Sequence, residues 1–207
     1  MIVSALGITL YNIWDSARAE NVSFSALEIL MPQIELKDVG MSEYGGRPVI
    51  VNESGETEYP DYILNPKMPM PLKTVDGNDY IGVISIPSIN IELPIISEWS
   101  YPRLKAAPCR YCGTLYQRNL VICAHNYRRH FGHIKDLRIG DSVFFTDMDG
   151  FVFRYKVTEV LTLDPMAIEE MRTGDWDLTL FTCTLGGRTR VTVRCELAED
   201  YGFKELS

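Results

Sequence analysis

Positive charge is in short supply. Lys and Arg number 20 against 28 Asp and Glu in 207 residues, a formal net charge of −8. Such a chain repels a phosphate backbone, which argues against sequence-independent nucleic-acid binding. Cysteine is also scarce. Five are too few for a disulfide scaffold of this length, and the odd number leaves at least one thiol unpaired in a monomer. There are only three histidines, which limits the candidates for acid–base work. Long apolar runs are missing too. Ile2–Trp14 is diluted only by Ser4, Gly7, Thr9 and Asn12 but falls short of the roughly 20 residues of a spanning helix. No Lys or Arg precedes it, so it carries no positive-inside signal. There is no internal repeat and no low-complexity tract. The remaining composition, 46% hydrophobic and 23% charged, suits one main domain with an extension.

Residues 1–14 have three readings. They are the outer end of a membrane anchor, a signal segment with Ala17-Arg18-Ala19 as an A-x-A-like cleavage site, or an amphipathic helix on the domain. The first is favoured, on length and on the missing flank. From Asp15 to about Leu30, alanines and leucines recur among polar residues in a helical pattern. Residues 31–78 are punctuated by Gly40, Gly45, Gly46, Pro48, Gly55, Pro60, Pro66, Pro69 and Pro71. They read as an extended arm without long helices or central strands.

From Tyr80 the pattern turns to strands: Tyr80–Ile86, Ile91–Ile96, Asn119–Ala124, Phe151–Leu163, Leu178–Thr182 and Val191–Leu197. Pro165–Met171 reads as a short helix with Asp164 as its N-cap. Many short strands with one or two short helices predict a mainly β domain, a barrel or a sandwich.

Gly186-Gly187 between two β-rich runs signals a two-residue hairpin. With those glycines as the loop, Leu185 faces Arg188, Thr184 faces Thr189 and Cys183 faces Arg190. Leu178, Leu180, Val191 and Val193 fall on the other, core-side face. A thiol thus meets a guanidinium, which favours thiolate and can hold a developing oxyanion. The hairpin alone is better described as a packed cysteine beside a solvent-facing arginine. His125 tips the balance. It ends the apolar run Leu120–Ala124, and a cysteine with a distant histidine is the nucleophile–base pairing. His130 and His133 compete, but they lie in a charged stretch with Lys135, Asp136 and Arg138.

Here the sequence resembles the sortase family. Ala124-His125-Asn126 resembles its histidine motif and Thr179-Leu180-Phe181-Thr182-Cys183 its TLxTC motif. Arg190 before Val-Thr-Val is similar to the arginine that opens the last strand. Tyr80-Ile-Gly-Val-Ile-Ser-Ile-Pro87, then Leu93-Pro94-Ile95, resembles the opening of the barrel, and Gly140-Asp141 before a strand fits. The resemblance implies an eight-stranded sortase-like β-barrel over 79–198, preceded by an N-terminal helix and arm (15–78) and followed by a tail (199–207). It implies a cysteine transpeptidase that cuts a C-terminal sorting signal, LPxTG-like or NPxTx-like, through a thioester. The acyl group passes to an amine of a peptidoglycan precursor or a pilin lysine. The implied roles are Cys183 as nucleophile, His125 as acid and base, and Arg190 at the oxyanion. Thr182 and Asn126 become candidate substrate contacts. The implied place is the bacterial cell membrane, with the catalytic domain outside. No cofactor, metal or nucleic acid is implied. Class B-like, class D-like and housekeeping roles all fit.

Other readings stay in view. The barrel could be a silent protein-docking module or a hydrolytic cysteine protease. Cys109-Arg-Tyr-Cys112 is a CxxC, read first as ordinary buried or loop thiols and otherwise as half of a zinc site or a redox pair. His125, His130 and His133 have no standard metal spacing. The arm segment 60–71, with Asn65-Pro66 like the start of a sorting signal and Asp61-Tyr62 faintly lid-like, is a surface linker or a plug for the substrate groove.

Overall fold

The computed structural model describes residues 2–37, 39–41, 48–51, 56–184 and 186–198. Eight strands form the barrel: β1 (Asn78–Ile86), β2 (Ile91–Ile96), β3 (Cys109–Cys112), β4 (Leu120–Ala124), β5 (Ser142–Asp147), β6 (Val152–Leu163), β7 (Leu178–Cys183) and β8 (Arg190–Leu197). Their spatial order is β1-β2-β3-β4-β7-β8-β6-β5, and β5 pairs back onto β1 to close the barrel. Neighbours are antiparallel except β2–β3 and β4–β7. The mainly β, eight-stranded barrel is the expected fold. A short strand, Lys73–Val75, adds to the start of β1.

Alternation explains the inward face. Val143 and Phe145 on β5, and Phe153, Tyr155 and Val157 on β6, are buried every second residue and fill the interior. Leu178 and Leu180 of β7 meet Cys195 and Val193 of β8 on that same face, as the hairpin reading expects. β1 reads as a continuous apolar run because both its faces are covered. Ile81, Ile84 and Ile86 point to the interior cluster, while Tyr80 and Val83 join a second cluster with the N-terminal helix.

That helix, α1, runs unbroken over Ile2–Leu30, so the helix expected from Asp15 begins much earlier. Asp15, Ala19, Ser23, Ala26 and Leu30 form its buried stripe, spaced by three or four residues. The small side chains let the helix lie close to the barrel. Ser23 Oγ donates to the Ala106 carbonyl at 2.6 Å and sits 3.1 Å from His130 Nε2. Tyr11, Trp14, Phe24 and Ile29 stay exposed on α1. Among the described residues no helix is long and apolar enough to cross a membrane.

The arm carries more order than its prolines suggest. Val39–Met41, Pro48–Val51 and Thr57–Glu58 pair as a small antiparallel sheet, and Asp61–Leu64 makes one helical turn. Tyr62 stacks on Tyr116 at 5.0 Å between centroids and meets Phe151 and Phe153 edge-on or tilted. Met68 and Met70 pack on the interior cluster. These partners flank the starts of β4 and β6, the end of the barrel opposite Cys183. Residues 61–70 therefore close that mouth as a wrapped linker and do not plug a groove at Cys183. At the same end Asp147 accepts from Tyr116 Oη (2.8 Å) and from the amides of Asp149 and Phe151. Burial pushes its carboxyl up to about 6.

Two expectations shift. β3 escapes sequence reading because Cys-Arg-Tyr-Cys is short and bulged between Arg110 and Cys112, which erases alternation. The short helix spans Ile168–Arg172, not Pro165–Met171. Asp164 does hold an amide, that of Met166 at 2.8 Å, but in a turn ahead of the helix.

Closure leaves no room at Gly82, opposite Asp147 on the β1–β5 seam. An added Cβ would stand 2.2 Å from Phe145 Cε1 and 2.3 Å from the Thr146 carbonyl oxygen. Gly82→Ala should cost about 3 kcal/mol through overpacking, read as a lowered urea midpoint with an unchanged slope.

Candidate active site

Strand register assembles the site. β4 and β7 run parallel, with Leu120 beside Leu178 and Ala124 beside Thr182. One residue further, His125 leaves β4 where β7 ends in Cys183. On the other side of β7, Cys183 pairs directly with Arg190 of β8. Three neighbouring strands thus deliver an imidazole, a thiol and a guanidinium in a row at one end of the barrel. The Cys183–Arg190 register is the one expected from the Gly-Gly loop. The expected Leu185–Arg188 pair lies outside the described residues.

Both ends of the β4–β7 pairing are clamped. At the start, Arg118 donates to both carboxylate oxygens of Asp177, at 2.8 and 2.9 Å. At the other end, Thr182 Oγ1 donates to the Ala124 carbonyl at 2.9 Å. Thr182 is buried on the interior-facing side. Its hydroxyl ties the strand bearing the thiol to the strand bearing the imidazole. Asn126 is half-buried and lines a cleft of about 1290 Å³ beside His125, together with Glu20, Arg128, His133 and Gly186.

The hairpin tip orients the arginine. Thr184 and Thr189 pair through main chain and hydroxyls, and the Gly187 amide donates to the Thr184 carbonyl. Arg190 Nη1 donates to the carbonyls of Gly187 (3.1 Å) and Thr189 (3.2 Å). A guanidinium has five N–H donors, so others remain for a ligand.

Environment separates the five thiols, all of which are free. Cys109, Cys123 and Cys195 are buried, and burial pushes each thiol up, Cys109 to about 12. Such groups stay protonated and inert. Cys183 is only half-buried. The CxxC does not act as a unit: Cys109 faces Cys123 across β3–β4, and Cys112 faces Val121. No group of three or more His, Cys, Asp or Glu among the described residues is arranged to hold a metal ion.

The histidines separate as well. His130 is fully buried against Ser23, and burial takes it down to about 4. His133 pairs with Asp136 at 2.9 Å on the surface. His125 alone stands at the level of Cys183. Burial holds its pKa below the ordinary value, opposed by the charge of Asp15 and reinforced by Lys105. Its Nε2 has no hydrogen-bond partner among the described residues.

The outer face of β4 and β7 beside Cys183 is apolar. Val121, Leu163 and Met171 cluster there, with Phe181, Ala167 and Tyr111 against them. Arg194 fastens the covering segment, donating to Thr179 Oγ1 (2.7 Å) and to the carbonyls of Met171 and Glu170. Sequence reading misses this clamp, and it misses Asp15 and Tyr127 beside His125. Each is a long-range contact that leaves no local pattern.

Comparison with known proteins adds to the geometry. A family model described as Sortase domain matches residues 84–198. Sortase A of Bacillus anthracis is 29% identical over 116 residues, 53% of this chain and 55% of that protein. The chain thus spans about half the length of that curated relative. The solved sortase C from Clostridium perfringens SM101 is 29% identical, with a TM-score of 0.50 over 72% of this chain and 80% of that one. A Clostridium perfringens Sortase D5 transpeptidase shares the fold at 23% identity, with a TM-score of 0.52 over 61% of this chain and 82% of that one.

Brief iodoacetamide treatment of the native protein, followed by peptide mapping, should modify Cys183 well before Cys109, Cys123 or Cys195. Those three should react only once the chain is unfolded. Equal labelling of Cys183 and Cys195 in the folded state would remove the distinction between reactive and packed thiols.

Proposed function

This chain belongs to the sortase family, and from that premise we propose that it is a membrane-associated cysteine transpeptidase acting on sorting signals of surface proteins or pilins. The observation that carries this reading is the strand register that aligns His125, Cys183 and Arg190. The Cys183 thiolate attacks the carbonyl carbon of the threonine in an LPxTG-like or NPxTx-like signal. Arg190 donates to the oxygen as it gains charge. The carbon–nitrogen bond breaks, and imidazolium at His125 gives its proton to the leaving amine. A thioester on Cys183 remains. An amine of a peptidoglycan precursor or a pilin lysine then attacks it and gives its proton to neutral His125, and the thiolate leaves.

The apolar outer face of Val121, Phe181, Leu163 and Met171 suits the nonpolar side chains of an extended signal peptide. Asn126, at the rim of the cleft next to His125, is the candidate polar contact. Thr182 acts through the strands: its hydroxyl already serves the Ala124 carbonyl. The proposed location is the outer side of the bacterial membrane, with the segment ahead of the barrel toward the lipid.

Incubation with libraries of LPxTG-like and NPxTx-like peptides, with and without an amine acceptor, and mass spectrometry of the products tests the reading. Cleavage between Thr and the next residue, a thioester adduct on Cys183 and transfer to the amine are expected. Cys183→Ala should abolish all three and His125→Ala most of the rate. Retained cleavage in Cys183→Ala would sink the assignment. Arg190→Ala should lower kcat on the order of 10²–10³, as for loss of one oxyanion donor, and Arg188→Ala far less.

A further inference from the structure

Asp15 lies on α1, outside the residues 84–198 that match the family model, yet it reaches the site. It is one of few buried carboxylates, 6% exposed. Its Oδ2 accepts a hydrogen bond from Tyr127 Oη at 2.5 Å, and its Oδ1 faces Arg18 Nη2 at 3.5 Å. The Tyr127 ring in turn lies on His125, with centroids 4.8 Å apart and planes at 33°. Carboxylate, phenol and imidazole therefore form one contiguous stack. It leads from α1 to the strand end where Cys183 stands.

We propose that Asp15 is a positioning residue for His125: through Tyr127 it fixes the ring packed on the imidazole, and it sets a buried negative charge beside it. The proposal rests on the acid–base role of His125 given above. A half-buried histidine loses imidazolium, the form that must protonate a leaving amine, and a nearby carboxylate restores it. Other groups bear on the same ring. Lys105, on the segment between β2 and β3, opposes the charged form, while His130, in the loop that follows His125, is held neutral by burial. Cys183 and Arg190 flank it from β7 and β8 by register. Asp15 is the carboxylate that favours imidazolium, and its hydrogen bonds to Tyr127 and Arg18 keep it ionised. A carboxylate serving only to dock α1 would leave the imidazole titration untouched.

The test is an NMR titration of the whole chain with labelled histidine. The His125 resonance is identified by its loss in His125→Gln. Asp15→Asn keeps the shape and leaves an amide oxygen to accept from Tyr127. It should lower the His125 midpoint by about one pH unit, a tenfold loss of imidazolium above both midpoints. The limb of the kcat/KM profile that belongs to His125 should move down equally. Asp15→Glu keeps the charge and should restore the midpoint. An unmoved midpoint in a folded Asp15→Asn overturns the proposal. If Asp15→Asn loses helix signal or unfolds, Asp15→Glu decides, and a lowered midpoint in that variant overturns the proposal as well. The titration needs no substrate. Failure here is therefore distinct from failure of the transpeptidase reading, which shows as absent cleavage.

Discussion

Two clamps hold β4 and β7 in register: the paired Arg118–Asp177 contact where the strands begin, and the Thr182 hydroxyl on the Ala124 carbonyl where they end. In a sheet a slip of one residue turns every side chain to the opposite face. Here a slip would send the Cys183 thiol into the packed interior and bring Thr182 outward. The alignment of His125, Cys183 and Arg190 is therefore a backbone property first and a side-chain property second. A parallel pair has no hairpin turn to fix its alignment, which is why β4–β7 needs clamps that the β7–β8 hairpin does not.

The same logic explains the burial pattern. The interior of an eight-stranded barrel is filled by its own side chains, so a substrate has to be met outside. An outer strand face left bare would give the imidazole and thiol nothing but water. Two covers supply walls. On one flank the segment carrying Ile168–Arg172 is pinned by Arg194, and on the other α1 is seated by Ser23 and Leu30. Between them the apolar strip around Phe181 and the cleft at Asn126 remain open.

Legibility followed the range of the interaction. The hairpin register was readable because Gly186-Gly187 sets it locally, and Cys183 opposite Arg190 follows by counting. Strands rich in Ile and Val declared themselves, with ends within a residue or two of those observed. β3 did not, because a bulge and an arginine break its period, and β5 entered only through the resemblance at Gly140-Asp141. The Ile168–Arg172 helix began later than its proline implied, because Asp164 spends its carboxylate on a turn. The adjacency of His125 to Cys183 was reached by resemblance, not by pattern. Nothing local states that Leu120 pairs with Leu178. Asp15 and Tyr127 are separated by 112 residues, beyond any local pattern.

This last contact bears on where the functional unit ends. The half-buried His125 is shielded from the water that would stabilise its charge. The barrel residues around it do not resolve that conflict: Lys105 pushes the same way as burial. The opposing charge comes from α1, whose own place is set by an apolar stripe far from the chemistry, at Ala26 and Leu30. Packing at one end of α1 thus fixes the position of a carboxylate about three turns away, since a helix transmits position rigidly at 1.5 Å per residue. The barrel supplies the imidazole, the thiol and the guanidinium. The helix outside the matched family segment carries the carboxylate that reaches His125 through Tyr127, held there by ordinary core packing.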